Sequence, residues 1–180
     1  LALVKGDPSE RRSFLDQTLI QRTPRYIGVK SDYEKVLRQR NALLKSTQRE
    51  NIDSTLDVWN EQLARIGAEI AHTRIQFIKD LTPFIHNRYH SISGGENAVS
   101  ASKISLGYQS KYLLDQNIDL LTEEDIRIAI LEELIVRRNE ELARGITLVG
   151  PHRDELFIGL GDLPLKGYAS HGESWSAALA

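Results

Sequence analysis

Apolar residues recur at helical spacing through the first half of the chain and alternate at strand spacing only in short stretches of the second. Asp7-Pro8-Ser9-Glu10 reads as a helix start, with Asp7 as cap, Pro8 at the first helical position and Glu10 reaching back. The helix is expected to run to about Arg22, with Phe14, Leu15, Leu19 and Ile20 inward and Arg11 and Arg12 set against the acidic first turn. Thr23-Pro24 opens a second helix. In it Tyr26, Tyr33 and Arg40 interleave with Val29, Val36 and Leu43 in three- and four-residue steps, a seam of coiled-coil type that puts Arg40 among apolar positions. The pattern lapses in STQRENID (46–53) and then resumes, with Leu56, Leu63, Ile70, Phe77 and Phe84 seven apart and Trp59, Ile66 and Thr73 between them. Two long helices joined by a short polar turn predict an antiparallel hairpin that packs mostly on itself, its second helix bent or ended by Pro83.

Around this hairpin the signals are mixed. Residues 1–5 read as an edge strand or the tail of an upstream element, 86–102 as a loop, and 103–108 as a half-buried strand. Thr122-Glu123-Glu124-Asp125 caps a helix whose Ile126, Ile130, Leu134, Ile135 and Leu142 keep a helical period until Gly145 stops it. A short buried strand is predicted at 146–149, a turn at 150–154, and a β-hairpin from 156–160 and 163–166 about Gly161-Asp162. The expected fold class is α+β, mostly helical. Its expected domains are a connecting segment (1–23), a helical hairpin arm (24–90) and a mixed α/β segment (91–180).

Composition narrows the classes. With 180 residues, 41% hydrophobic and 27% charged, the chain can bury a real core; it has no cysteine for disulfides or thiolate metal sites. No apolar run is long enough to span a membrane and no signal peptide is visible, so a cytoplasmic location is expected. The absence of Met, the start at Leu1 and a helix broken off in mid-pattern suggest a piece of a longer protein. The net charge of −2 conceals an asymmetry, since residues 1–50 carry eleven Lys/Arg against six Asp/Glu and residues 51–180 carry twelve against nineteen. The basic part suits either a polyanion or a solvated helix face. Arg11, Arg12, Arg38 and Lys45 are the candidates for DNA phosphate contacts, with the alternative that Arg11 and Arg12 only pair with Glu10 and Asp16.

Candidate chemistry concentrates in the closing turn. Ser170-His171-Gly172-Glu173 precedes good helix material and offers a hydroxyl, unblocked N–H groups, a glycine that admits close approach and the positive end of a helix dipole. Such a turn binds a phosphate or caps a helix. Ser93-Gly94-Gly95-Glu96 resembles it but leads toward a strand. His152-Arg153-Asp154 lacks the partners of a kinase catalytic loop, and the apolar-acidic run Ile130-Leu131-Glu132-Glu133 belongs to a helix. No Walker A loop occurs, and His86 and His90 stand four apart without acidic company, so no metal site is expected.

Taken in order, LVKGDPSERRSFLD (3–16), LRQRNALLK (37–45), LDVWNEQLA (56–64), TLVGPHRDEL (147–156) and SHGE (170–173) resemble the RecF family of bacterial DNA-repair ATPases, which are related to ABC and SMC proteins. The resemblance implies a helical-hairpin arm joined to part of an ABC-type ATPase head, with Walker A upstream of Leu1 and Walker B downstream of Ala180. It implies ATP and Mg2+ held between two heads of an ATP-dependent homodimer. Ser170, His171, Gly172 and Glu173 would then touch the partner's nucleotide in trans, while the fragment alone holds no catalytic residue and no cofactor. It further implies a weak DNA-dependent ATPase of replication, recombination repair and the SOS response. Such a protein binds gapped DNA at single-strand/double-strand junctions and works with RecO and RecR to load RecA. His152, Arg153 and Asp154 match the family's GPHRD turn and would either brace the head or reach ATP or DNA. The family usually has Gln where Glu173 stands, and Gln or Gly in place of His171, so Glu173 reads as a ligand or as a capping group. The alternative reading is a non-enzymatic helical module that docks a protein partner. An SMC-like structural protein would need a far longer coiled coil.

Overall fold

A computed structural model describes residues 2–46, 52–92, 104–114, 116–161, 163–168 and 170–179. The elements in order are α1 (Ala2–Lys5), α2 (Pro8–Arg22), α3 (Arg25–Lys45), α4 (Ile52–Ile92), β1 (Ile104–Gln109), a 3-10 turn (Ile118–Leu120), α5 (Glu123–Arg144), β2 (Glu155–Leu160), β3 (Leu163–Pro164), α6 (Leu165–Tyr168) and α7 (His171–Leu179). The fold class is α+β and mostly helical, as the apolar periodicity predicts. The chain divides into two compact units, one of Leu1–Thr18, Arg74–Gln109 and Glu155–Ala180, the other of Leu19–Thr73 and Ser110–Asp154.

In the second unit α3 and the first half of α4 form the antiparallel hairpin. Leu44 packs on Leu56, Arg40 Nε donates to Asn60 Oδ1 at 2.9 Å, and Arg25 pairs with Glu69 at 3.1 Å, so partners climb α4 as they descend α3. Tyr26, Tyr33, Val36, Arg40 and Leu44 are the buried seam of α3. Val29 and Leu43, expected in that seam, are only half-buried. The hairpin does not pack mostly on itself. Helix α5 lies along it, with Arg127 reaching Glu61 at 2.9 Å and Arg138 reaching Asp53 and Asp57. Three elements converge at Gly67, where an added Cβ would stand 3.2 Å from Tyr33 Cε2, 3.2 Å from Pro151 Cδ and 3.4 Å from Ile130 Cδ1. This is why the small residues Ala64, Ala68 and Ala71 are buried on this part of α4, while Arg65 and Glu69 keep to its other face.

Helix α5 has the boundaries its sequence predicts. Thr122 Oγ1 accepts the Asp125 N–H at 3.2 Å, Asp125 accepts the Thr122 N–H at 2.9 Å, and Gly145 closes the helix in the left-handed region at φ 65°. Ile126, Ile130 and Leu134 are buried, but Ile135 is exposed because it falls on the opposite face. The run 130–133 lies inside this helix.

The first unit holds a three-stranded antiparallel sheet in the order β1-β2-β3, with Ile104 opposite Leu160 and Gln109 opposite Glu155. Leu160 opposite Leu163 makes the expected hairpin, though its second strand stops at Pro164 and not at Lys166, and Gly161 takes the positive φ of 61° that its turn requires. Two ion pairs brace this unit. Arg74 on α4 donates through Nε and Nη2 to Asp16 on α2 at 3.0 and 2.8 Å, and Arg11 on α2 grips Glu155 at the start of β2.

Several expectations fail for identifiable reasons. Residues 2–5 are helical and not an edge strand. Glu10 does reach back to the Asp7 N–H at 2.9 Å, but Arg11 pairs with Glu155 and Asp16 with Arg74, so the local pairing of Arg11 with the first turn or with Asp16 gives way to partners far along the chain. Phe14 and Phe84 sit on apolar stripes yet are exposed. Helix α4 runs through Pro83 to Ile92, so 86–92 are helix and not loop, and Thr82 donates to the Ile78 carbonyl one turn back at 2.7 Å. Residues 146–149 form no strand. The Ser93–Glu96 motif lies outside the described residues.

Candidate functional site

The segment that leaves α5 is held by side chains in place of strand partners. Arg40, 1% exposed on the apolar seam of α3, meets Glu141, fully buried on α5, at 2.5 Å. Its Nη1 donates to Thr147 Oγ1 at 2.8 Å, and Thr147 in turn donates to Asn41 Oδ1 at 2.7 Å. The backbone is satisfied by the same group: Asn41 Oδ1 accepts the Thr147 N–H and Glu141 Oε1 accepts the Leu148 N–H, each at 2.7 Å. An apolar run with polar backbone groups therefore survives burial without a ladder. Among the described residues no buried side-chain nitrogen or oxygen lacks a partner. A buried cation and anion are tolerable only in this fully bonded form.

The turn at 150–154 continues that construction. The Thr147 carbonyl accepts from Arg153 Nε and Nη2, at 3.3 and 3.1 Å, and from His152 Nε2 at 3.2 Å. A ring nitrogen facing a carbonyl must carry the proton, so in its neutral form His152 accepts at Nδ1 from the Tyr33 hydroxyl, 2.7 Å away. Gly150 (φ 124°) passes so close that an added Cβ would lie 2.4 Å from Tyr33 Oη. Arg153 and Asp154 are not paired with each other, since buried Asp154 accepts from the Tyr112 hydroxyl. Beside the turn is a cavity of about 320 Å³, lined among others by Lys111, Tyr112, Arg137, Arg144, Gly150 and Arg153. Arg137 and Arg144 on its wall share Glu140, at 3.0 and 2.8 Å.

The closing turn is a capping box. The Glu173 N–H donates to Ser170 Oγ at 3.3 Å, Glu173 Oε2 accepts the Ser170 N–H at 2.7 Å, and the Ser174 N–H reaches the Ser170 carbonyl at 3.0 Å. The bonds from the Ser170 backbone and side chain hold the Glu173 carboxyl below its usual range, and this carboxylate adds to the burial that raises Tyr89 on α4. Gly172 is open, with nothing within 4 Å of an added Cβ. The His171 side chain lies outside the described residues.

The four phosphate-contact candidates are placed differently. Arg11 is 8% exposed, with Nε and Nη2 on Glu155 at 2.6 and 3.1 Å and Nη1 on the Gly6 carbonyl at 2.9 Å; the Glu155 hydrogen bond lifts its pKa. Arg12 is half-buried, and Arg38 and Lys45 are exposed two turns apart on one face of α3. Among the described residues no group of three metal-ligating side chains is placed to hold an ion. Sequence reasoning missed Glu141, Asn41, Tyr33, Tyr112 and Lys111. A cation on an apolar seam does demand a buried acid, and Glu141, one heptad after buried Leu134, is the acid on the apolar face of α5.

No protein-family model matches the chain. Over 191 residues it is 46% identical to the Kineococcus radiotolerans protein described as DNA replication and repair protein RecF, covering 99% of this chain and 48% of that one. A Beutenbergia cavernae protein of the same description is 45% identical over 196 residues, covering 100% and 49%. Two solved structures of the recombination mediator protein RecF in the RecFOR pathway, one described as RecF-ATPrS and one as RecF-ATP, each superpose at a TM-score of 0.86 with 26% identity. They cover 99% and 98% of this chain, and it covers 46% and 45% of them. The chain spans about half the length of the curated relatives it matches. With that identity end to end, and with the arm hairpin and the closing capping box in the predicted order, the chain belongs to the RecF family.

Proposed function

We propose that this chain is the arm and part of the ATPase head of a recombination mediator that closes on ATP as a dimer and acts on DNA with RecO and RecR. The observation that supports this most directly is the likeness, over essentially the whole chain, to RecF structures described with ATP and ATPrS. In this reading the N-terminus of α7 completes a nucleotide site on the opposing head. Ser170 Oγ accepts the Glu173 N–H and so keeps its own proton to donate to a phosphate oxygen. The first-turn N–H of Gly172 has no partner within the helix, and its missing side chain leaves room for a γ-phosphate. Glu173 serves as the capping group: its charge sits at the positive end of the helix and is hydrogen-bonded to Ser170, which reduces its repulsion of a triphosphate. Mg2+ and the groups that position water belong to parts of the parent protein beyond this chain. Recognition of gapped DNA and loading of RecA are assigned to the whole dimer, with Arg12, Arg38 and Lys45 contributing phosphate contacts.

The test uses the full-length parent protein. Gly172→Arg places a long side chain where the nucleotide of the opposing head would sit, and is expected to abolish ATP-induced dimerisation in sedimentation while leaving binding of a fluorescent ATP analogue to single heads unchanged. Dimerisation equal to wild type would overturn the trans site.

A further inference from the structure

The cations of the second unit differ in whether a carboxylate neutralises them. Arg25, Lys30, Lys35, Arg40, Arg127, Arg137, Arg138 and Arg144 each pair with an acid. Among the described residues of that unit, Arg38, Lys45, Arg65, Lys111 and Arg153 have no carboxylate partner. Two of these five, Lys111 and Arg153, line one cavity, and Lys45 lies beside the end of α5, whose Arg144 is on the same wall. The stem of Lys45 lies against Gly145, 3.1 Å from where its Cβ would be, directly after Arg144. Arg38 is two turns back on the same face of α3 as Asn41, the residue that holds Thr147. Lys111 and Arg153 line the cavity of about 320 Å³ beside the 150–154 turn.

We infer that this cavity seats a phosphate of a nucleic-acid backbone, with Lys111 and Arg153 as its ligands and Arg38 and Lys45 extending the same track along α3; the inference rests on the DNA reading above. Three features carry it. Arg153 is anchored through Nε and Nη2 to the Thr147 carbonyl, so its fork is fixed at little entropic cost and Nη1 remains to donate. Glu133 and Glu140 on the cavity wall are already bonded to Arg137, and Asp154 takes a hydrogen bond but no counter-charge from Tyr112, so the lining carries four cations against three acids. Lys111 is exposed on the cavity wall and makes no internal bond, so its ammonium is available to an oxyanion. No aromatic platform is needed for such a contact, and it carries no base readout.

The experiment measures binding of the full-length parent protein to duplex and gapped DNA across a salt series. Lys111→Gln and Arg153→Gln are each expected to flatten the slope of log K against log salt by about 0.9, and Arg153→Lys to restore most of it. Lys111 is exposed and makes no internal bond, so unchanged thermal melting of its variant excludes misfolding as the cause. An unchanged slope in both variants, with a flatter one in Arg38→Gln and Lys45→Gln, overturns the cavity and leaves the DNA reading intact. Unchanged slopes in all four overturn both. Weaker binding of a fluorescent ATP analogue by Lys111→Gln at an unchanged DNA slope would make a nucleotide the source of the phosphate and overturn the assignment to DNA.

Discussion

The cluster around Arg40 and the cap at Ser170 both spend a carboxylate on backbone N–H groups, yet they are opposite constructions. Glu141 is fully buried and takes its counter-ion from Arg40, 101 positions away; remove the cation and a charge is stranded in the core. Glu173 works within four residues, has no counter-ion and faces solvent. The first arrangement bonds all three guanidinium nitrogens of Arg40 and both carboxylate oxygens of Glu141 within the fold. The second leaves the early N–H groups of α7 unused, which is what a ligand site requires. The contrast extends to the other capping box: three acids, Glu123, Glu124 and Asp125, crowd the first turn of α5 and repel an anion, whereas Gly172 opens the first turn of α7.

The sharpest break in this comparison is Arg40→Ala, expected to destabilise by about 3–5 kcal/mol in urea unfolding because Glu141 is left buried and unpaired. Arg40→Met combined with Glu141→Leu should lose less than the single change. If the single change costs under about 1 kcal/mol, the cluster does not clamp the fold. Next is Gly150→Ala, which meets Tyr33 Oη at 2.4 Å and keeps a φ of 124°. It should cost roughly 1–3 kcal/mol, less in a Tyr33→Phe background, and a coupling of zero between the two would rule out that contact.

Smaller effects fall on the caps. Thr122→Ala and Ser170→Ala should each cost about 1 kcal/mol of stability, but only Ser170→Ala should also weaken ATP-dependent dimerisation of the parent protein; equal effects on dimerisation would erase the distinction. The smallest effect is one of pH. Glu173, held down by the Ser170 backbone and side chain, and Asp125, held down by the Thr122 side chain and backbone, have folded pKa values below their usual 4.5 and 3.8. Their contribution is complete above those values and fades as pH falls through the lowered ones. Thermal melting should therefore drop more steeply below pH 4.5 in the wild type than in a Glu173→Gln variant.

Much of this was legible locally. The starts of α2 and α5, the Gly145 stop, the β2–β3 hairpin and the Ser170 box follow from capping and turn chemistry confined to a few residues. The misreadings share a cause. Residues 146–149 look like a strand because periodicity records only that they are buried, and Asn41 and Glu141 supply what a ladder would. Arg11 looks like a phosphate ligand because charge counts do not show that Glu155, 144 positions away, has taken it. Of the two outcomes expected at Pro83, a bend or an end, the end does not occur, because the 41-residue helix runs on through it.

What the amino-acid order determined by itself is therefore a set of features closed within a turn or two of chain: the starts of α2 and α5, the Gly145 stop, the Gly161 turn, the Ser170 cap, and the seam that puts Arg40 among apolar neighbours. What only the tertiary structure decided is the partner of each charge. That Arg40 is neutralised by Glu141, that Asp154 answers to Tyr112 and not to Arg153, and that Lys111 and Arg153 share a cavity wall depend on which surfaces meet when distant segments pack. Burial makes an unpaired charge costly but does not name the residue that will pair with it.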